Sequence, residues 1–176
     1  MTAPGTPAGT GAEGLAELLN VLDLFSGIGG FSLGLERTGG FRTVAFCEIE
    51  PFCRRVLAKH WPEVPCYDDV RTLTAERLAA DGIRVDLVCG GFPCQPFSTA
   101  SRGRRVAVSM WPEFHRIVRD IRPCWVIVEN VQEKALTDAA ADLRGSGYRT
   151  YLRRVGAHDA GADHGRGRWW LCAYTD

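Results

Sequence analysis

Short apolar runs that alternate with stretches of helical spacing set the tightest limit on what this chain can fold into. "VLDLF" (residues 21–25), "RTVAFCEI" (42–49), "RVDLVCG" (84–90) and "CWVIVEN" (124–130) are strand-length and apolar on successive residues. Strands of this kind are buried on both faces, as in a parallel sheet covered by helices on each side. Between and after them lie "FSLGLERTG" (31–39), "PFCRRVLAKHW" (51–61), "TAERLAADG" (74–82), "MWPEFHRIVRDIRP" (110–123) and "EKALTDAAADLRGSG" (133–147), all of which read as helical. Pro51 suits a first helical turn, and Thr74 and Gly82 suit the two ends of the third helix. "EGLAELLN" (13–20) predicts one more short helix. The end of the chain offers two strands, "YRTYLRRV" (148–155) and "RWWLCAY" (168–174), joined by a polar, glycine-rich loop. Strands alternating with helices place the chain in the α/β class, with a mostly parallel sheet and helices on both faces.

The length of 176 residues fits one domain, which at this size buries roughly 70% of the surface of its unfolded chain. Residues 1–12 are rich in Pro, Gly, Thr and Ala and are expected to be a disordered tail; residues 13–176 form the domain. The tail has neither the basic start nor the apolar core of a signal peptide. No run is long enough to span a membrane. The formal net charge is zero, which argues against purely electrostatic binding of nucleic acid. The seven cysteines are odd in number and contain no Cys-x-x-Cys pair. This predicts reduced thiols in an intracellular protein, not a disulfide framework or a zinc site. His158, Asp159, Asp163 and His164 do not have the spacing of a zinc site either, and no metal is expected.

Ligands of open α/β sheets bind beyond the carboxyl ends of the strands. Here those ends are residues 26–30, Glu48, residues 68–70, residues 90–98 and residues 129–131. "DLFSGIGGF" puts Gly27, Gly29 and Gly30 between a strand and a helix, where a backbone without side chains can approach a ligand. Glu48 follows about 20 residues later, where a carboxylate can accept both hydroxyls of a ribose. Together they point to a nucleoside-containing cofactor; the turn alone reads equally as a tight strand–helix connection. The glycine spacing is not the dinucleotide fingerprint G-x-G-x-x-G.

"GGFPCQPFS" places Cys94 after a strand, between Pro93 and Gln95, in a loop that two prolines stiffen. Such a thiol is either a nucleophile or a structural loop cysteine, and the loop by itself leaves both open. Arg102, Arg104 and Arg105 follow in sequence. They either lower the thiol's pKa, meet phosphate, or form a solvated basic loop.

"DLFSGIGGF", "GGFPCQPFS" and "ENV", in this order and spacing, resemble the DNA (cytosine-5) methyltransferases over about residues 20–175. The resemblance implies the S-adenosylmethionine-dependent methyltransferase (Rossmann-like) fold, with one antiparallel strand in the sheet. It implies that Phe25, Gly27, Gly29, Gly30, Val70 and Pro93 line the cofactor, that Glu48 binds its ribose, that Ile49 lies against the adenine, and that Asp69 accepts the adenine amino group. Cys94 would attack C6 of a cytosine and so make C5 a nucleophile for the methyl group. Glu129 would meet N3, Arg168 the base carbonyl, and Arg166 would support Arg168. Gln95, Ser98, Arg102, Arg104, Arg105 and Asn130 would contact a DNA whose target base is turned out of the stack. A protonated Glu129 needs a raised pKa, which burial can supply; the other reading of Glu129 is a carboxylate at a helix start.

Three features depart from the family pattern. No target-recognition domain and no closing Gly-Asn-x-Val-Pro-Pro segment follow, so the sequence-reading surface and one wall of the cofactor pocket are expected to be either missing or supplied by another chain. "DHGRGR" (163–168) stands where Pro-Gln usually precedes Arg-x-Arg, and "TASRGRRVAVS" (99–109) replaces a glycine-rich loop. The expected setting is a prokaryotic or phage-encoded protein in the cytoplasm. Two alternatives to DNA methylation stand beside it: a non-catalytic remnant or subunit that binds S-adenosylmethionine, and a tRNA cytosine-5 methyltransferase.

Overall fold

The computed structural model describes residues 17–93 and 109–175. Residues 1–12, the expected tail, residues 13–16 of the expected helix, and Cys94, Gln95, Ser98, Arg102, Arg104 and Arg105 lie outside these residues.

Among the described residues, seven strands form one sheet: β1 (Leu19–Leu24), β2 (Phe41–Cys47), β3 (Cys66–Tyr67), β4 (Leu87–Gly90), β5 (Trp125–Asn130), β6 (Arg149–Gly156) and β7 (Gly167–Tyr174). Their order is β3-β2-β1-β4-β5-β7-β6. The pairs β1/β2, β1/β4, β2/β3 and β4/β5 are parallel, whereas β7 runs antiparallel to both of its neighbours. The expected mostly parallel sheet with one antiparallel strand is therefore what the chain builds. Because β7 runs backwards, it begins at the edge where the parallel strands end, and it brings Arg168 there.

The connecting helices are α1 (Gly30–Glu36), α2 (Pro51–His60), α3 (Ala75–Ala80), α4 (Trp111–Ile121) and α5 (Glu133–Gly145). Pro51 stands in the first turn of α2, and the Thr74 side chain accepts the Arg77 N–H at the start of α3, as their sequence signals predict. On one face of the sheet Leu22, Leu24, Val88, Val126, Val128 and Leu171 pack with Phe114, Ile117, Leu136 and Leu143 of α4 and α5. On the other, Val21, Leu87 and Cys89 pack under Phe31 and Leu35 of α1. Burial of this apolar surface, roughly 25 cal/mol per Å², is the main favourable term holding the layers together.

One expectation needs correction, and one strand was not expected. Leu19 and Asn20 are not helical: they open β1, pairing with Phe41 and Arg42, and the Asn20 N–H is held by Asp86 at 2.9 Å. The pairing satisfies backbone groups that a helix end would leave open. The two-residue strand β3 has no periodic signal in the sequence. It exists because Phe46 N–H donates to the Pro65 carbonyl and Glu48 N–H to the Tyr67 carbonyl, both at 2.9 Å.

Among the described residues, no helix is long and apolar enough to cross a membrane, and no group of three His, Cys, Asp or Glu side chains could hold a metal ion.

Candidate active site

The first part of the site is the turn from β1 into α1. Phe25 (φ 54°), Gly27 (φ 54°) and Gly29 (φ 88°) are all left-handed, so the chain reverses sharply within five residues. A Cβ at Gly29 would lie 2.6 Å from the Trp61 ring, whereas one at Gly27 or Gly30 would meet open space. The turn is thus closed against the protein on one side and open to a ligand on the other.

Glu48, at the end of β2, is 9% exposed and tied into that turn. Its Oε2 accepts the Gly27 N–H at 2.7 Å and its Oε1 accepts the Glu50 N–H at 2.8 Å. Each oxygen keeps a lone pair, so the oriented carboxylate can still take two adjacent hydroxyls. Around it, the large apolar side chains Ile28, Ile49 and Phe52 are exposed. An aimed carboxylate, an open backbone turn and apolar side chains fit a nucleoside with an attached chain, which is what S-adenosylmethionine is. Asp69 is engaged elsewhere in this structure: Arg71 binds its carboxylate at 2.6 Å and holds it below the ordinary carboxylate range. Val70 is buried under the same loop.

The second part lies over β4, β5 and β7. Gly90 passes so close to β1 that a Cβ there would strike the Leu24 carbonyl. A Cβ at Gly91 would lie 2.8 Å from Glu129 Oε2. The two glycines, legible in "CGGFPC" but not singled out as site residues, let the strand leading to Cys94 run beside the Glu129 carboxylate. Arg168 Nε pairs with Glu129 Oε1 at 2.7 Å. Burial pushes the Glu129 carboxyl up, against the charges of Arg168 and Arg166 that pull it down. A half-buried carboxyl poised in this way can hold a proton and donate it to a ring nitrogen.

Asn130 is 3% exposed, and its side chain is spent within the protein. It donates to the Phe92 carbonyl and accepts the Gln132 N–H, both at 3.0 Å. It grips the chain two residues before Cys94, a supporting place within the protein. Pro93 is exposed at the edge of the described residues. Arg166 is exposed, and its carbonyl accepts the Ala157 N–H at 3.1 Å, closing the base of the β6–β7 hairpin. Sequence reasoning also missed Asp23, Ser26 and Ser32, the buried polar residues beneath the turn. Three polar residues within and beside an apolar strand were the available signal.

The sheet order and the paired sites at its carboxyl edge define the Rossmann-like fold of S-adenosylmethionine-dependent methyltransferases. More narrowly, the chain belongs to the C-5 cytosine-specific DNA methylases, whose family model matches residues 19–176. It is 33% identical over 169 residues to the type II methyltransferase M2.BsuMI of Bacillus subtilis, a match covering 88% of this chain and 42% of that protein. The crystal structure of a DNA modification methyltransferase encoded within an Escherichia coli prophage superposes with a TM-score of 0.74 at 32% identity, covering 89% of this chain and 47% of that one. The Dnmt2 methyltransferase of S. pombe, at 24% identity and a TM-score of 0.73 over 90% of this chain and 50% of its own, shares the fold. The chain thus spans less than half the length of the first two relatives.

Proposed function

We propose that this chain carries out methyl transfer to C5 of cytosine in DNA through a covalent bond between Cys94 and C6. The observation that carries the reading is the Glu129–Arg168 pair, 2.7 Å apart, with Gly91 packed against the same carboxylate three residues before Cys94.

Bound S-adenosylmethionine supplies a methyl group on a sulfonium sulfur. The glycine turn and Glu48 hold its nucleoside, with Ile49 beside the base. The Cys94 thiolate adds to C6 of a cytosine turned out of the stack, and the electron pair displaced from the C5–C6 bond reaches C5 and N3. Glu129 meets N3, burial shifting its carboxyl toward the protonated form, and Arg168 fixes that carboxyl in position. With S-adenosylmethionine bound, the methyl group would pass from its sulfonium sulfur to C5 and leave the neutral thioether. Water would then take the C5 proton, the C5–C6 double bond re-forming as the Cys94–C6 bond breaks, and the N3 proton would return to Glu129. Phe25, Gly29, Gly30, Val70 and Pro93 are proposed to line the cofactor, and Arg166 to support the pair. Gln95, Ser98, Arg102, Arg104 and Arg105 are proposed to contact DNA. Because the chain spans less than half the length of the first two relatives, sequence recognition is assigned to polypeptide outside the described residues, in this or a second chain. The reaction belongs in the cytoplasm.

An oligonucleotide with 5-fluorocytosine tests this directly, since fluorine at C5 blocks the final elimination. With cofactor present, wild type should form a denaturation-resistant adduct and Cys94→Ala none. Capture by RNA but not DNA would reassign the substrate to tRNA-like polymers, and capture by neither would leave only a cofactor-binding protein.

A further inference from the structure

The turn at residues 25–30 is held in a costly conformation by something other than its glycines, because Phe25 is left-handed too. Non-glycine residues keep such angles only where their surroundings impose them. Directly beneath lies a buried polar cluster. Ser32 Oγ donates to Asp23 Oδ2 at 2.8 Å, and Ser26 Oγ donates to the Asp23 carbonyl at 2.6 Å. Ser26 Oγ also accepts the Cys47 N–H at 3.3 Å, joining the turn to the end of β2 one residue before Glu48. Asp23 and Ser32 are 1% and 0% exposed, so neither can touch a ligand. The Asp23 carboxyl group therefore holds the Ser32 end of the turn and its main-chain carbonyl the Ser26 end, and Ser26 in turn sets the spacing between the Gly27 N–H and the Glu48 carboxylate.

We infer that Asp23 and Ser32 are positioning residues for cofactor binding: their hydrogen bond keeps Phe25 left-handed and the turn shaped to the nucleoside. The inference rests on the reading of this turn as the cofactor site. If the bond is lost, the turn relaxes toward ordinary backbone angles. The Gly27 N–H then no longer aims the Glu48 carboxylate. The Glu129 half of the site, on β5 and β7, is untouched.

The test is calorimetric titration of S-adenosylhomocysteine into wild type, Ser32→Ala, Asp23→Ala and Asp23→Asn, with thermal unfolding of each. Ser32→Ala and Asp23→Ala should raise Kd at least tenfold. Asp23→Asn keeps an acceptor for Ser32 and should stay within about threefold of wild type. In methyl transfer, Ser32→Ala should raise the KM for cofactor and leave kcat within twofold. If Asp23→Ala does not fold, Ser32→Ala decides alone. A folded Ser32→Ala that binds as wild type does overturns the inference. So does one whose kcat and melting temperature fall with its affinity, since that is a general structural defect. If wild type itself does not bind the nucleoside, the cofactor reading fails first and the inference falls with it.

Discussion

Asp23→Asn should change how the protein's stability depends on pH. Asp23 is buried in the sheet between β1 and β4, opposite Cys89, and burial pushes its carboxyl up from 3.8 to about 7. Its bonds from Ser32 pull the other way, and the nearby Glu48 charge pushes in the same direction as burial. Oδ1 has no hydrogen-bond partner among the described residues, and the Cys89 thiol is its polar neighbour. A carboxyl with a raised native pKa keeps its proton where the unfolded chain has released it. The native state therefore binds more protons between about pH 4 and pH 7, and stability falls as pH rises through that window. From pH 5 to pH 8 the loss is about 2–3 kcal/mol, from 1.36 kcal/mol per pH unit over roughly two units. Asn cannot titrate, so the variant lacks this loss. Its buried amide costs about 1 kcal/mol at every pH instead. Urea unfolding of both proteins at pH 5 and pH 8 measures the effect. At an m of about 2 kcal/mol/M, the wild-type midpoint should fall by about 1 M more than that of the variant. Equal shifts of the two midpoints would refute the assignment of a neutral Asp23.

Further outcomes follow from the other half of the site. Glu129→Gln should lower transfer of labelled methyl groups by roughly 10²–10⁴ with little change in melting temperature, because only the proton donor is lost. Arg168→Ala removes the cation that holds the Glu129 pKa down; the residual activity should persist to higher pH than that of wild type, read from a pH–rate profile. Gly91→Ala sets a Cβ 2.8 Å from Glu129 Oε2, and the displaced carboxyl should cost on the order of 10²-fold in rate while the protein still folds. Leu143→Ala, at a fully buried position of α5, should cost about 2–5 kcal/mol in urea unfolding and leave the chemistry intact in the folded fraction.

Much of this architecture was legible along the chain because its signals are local. Apolar runs, Pro51, Thr74 and the glycine turn each act over a few residues, and they placed most helices and strands. The resemblance of "DLFSGIGGF", "GGFPCQPFS" and "ENV" to a known family carried the site assignments further than spacing could. Glu48 was legible as a partner of the turn, since strand and turn lengths alone bring them together. β3 was not, because a two-residue strand has no period to detect. The burial of Asn130 was not legible either, because residue type says nothing about it.

By itself, then, the amino-acid sequence determined the alternation of the longer strands and helices, the glycine positions of the turn and the chemical types at the sheet's carboxyl edge. Those depend on backbone preference and on neighbours a few positions away. Only the tertiary structure decided that β7 runs backwards to set Arg168 against Glu129 across 39 positions of chain, and that Asp23 lies dry beneath the turn it holds. Charge states are the clearest case: the upward shifts at Glu129 and Asp23 come from removal of water by residues distant in sequence, and desolvation exists only once the layers have closed.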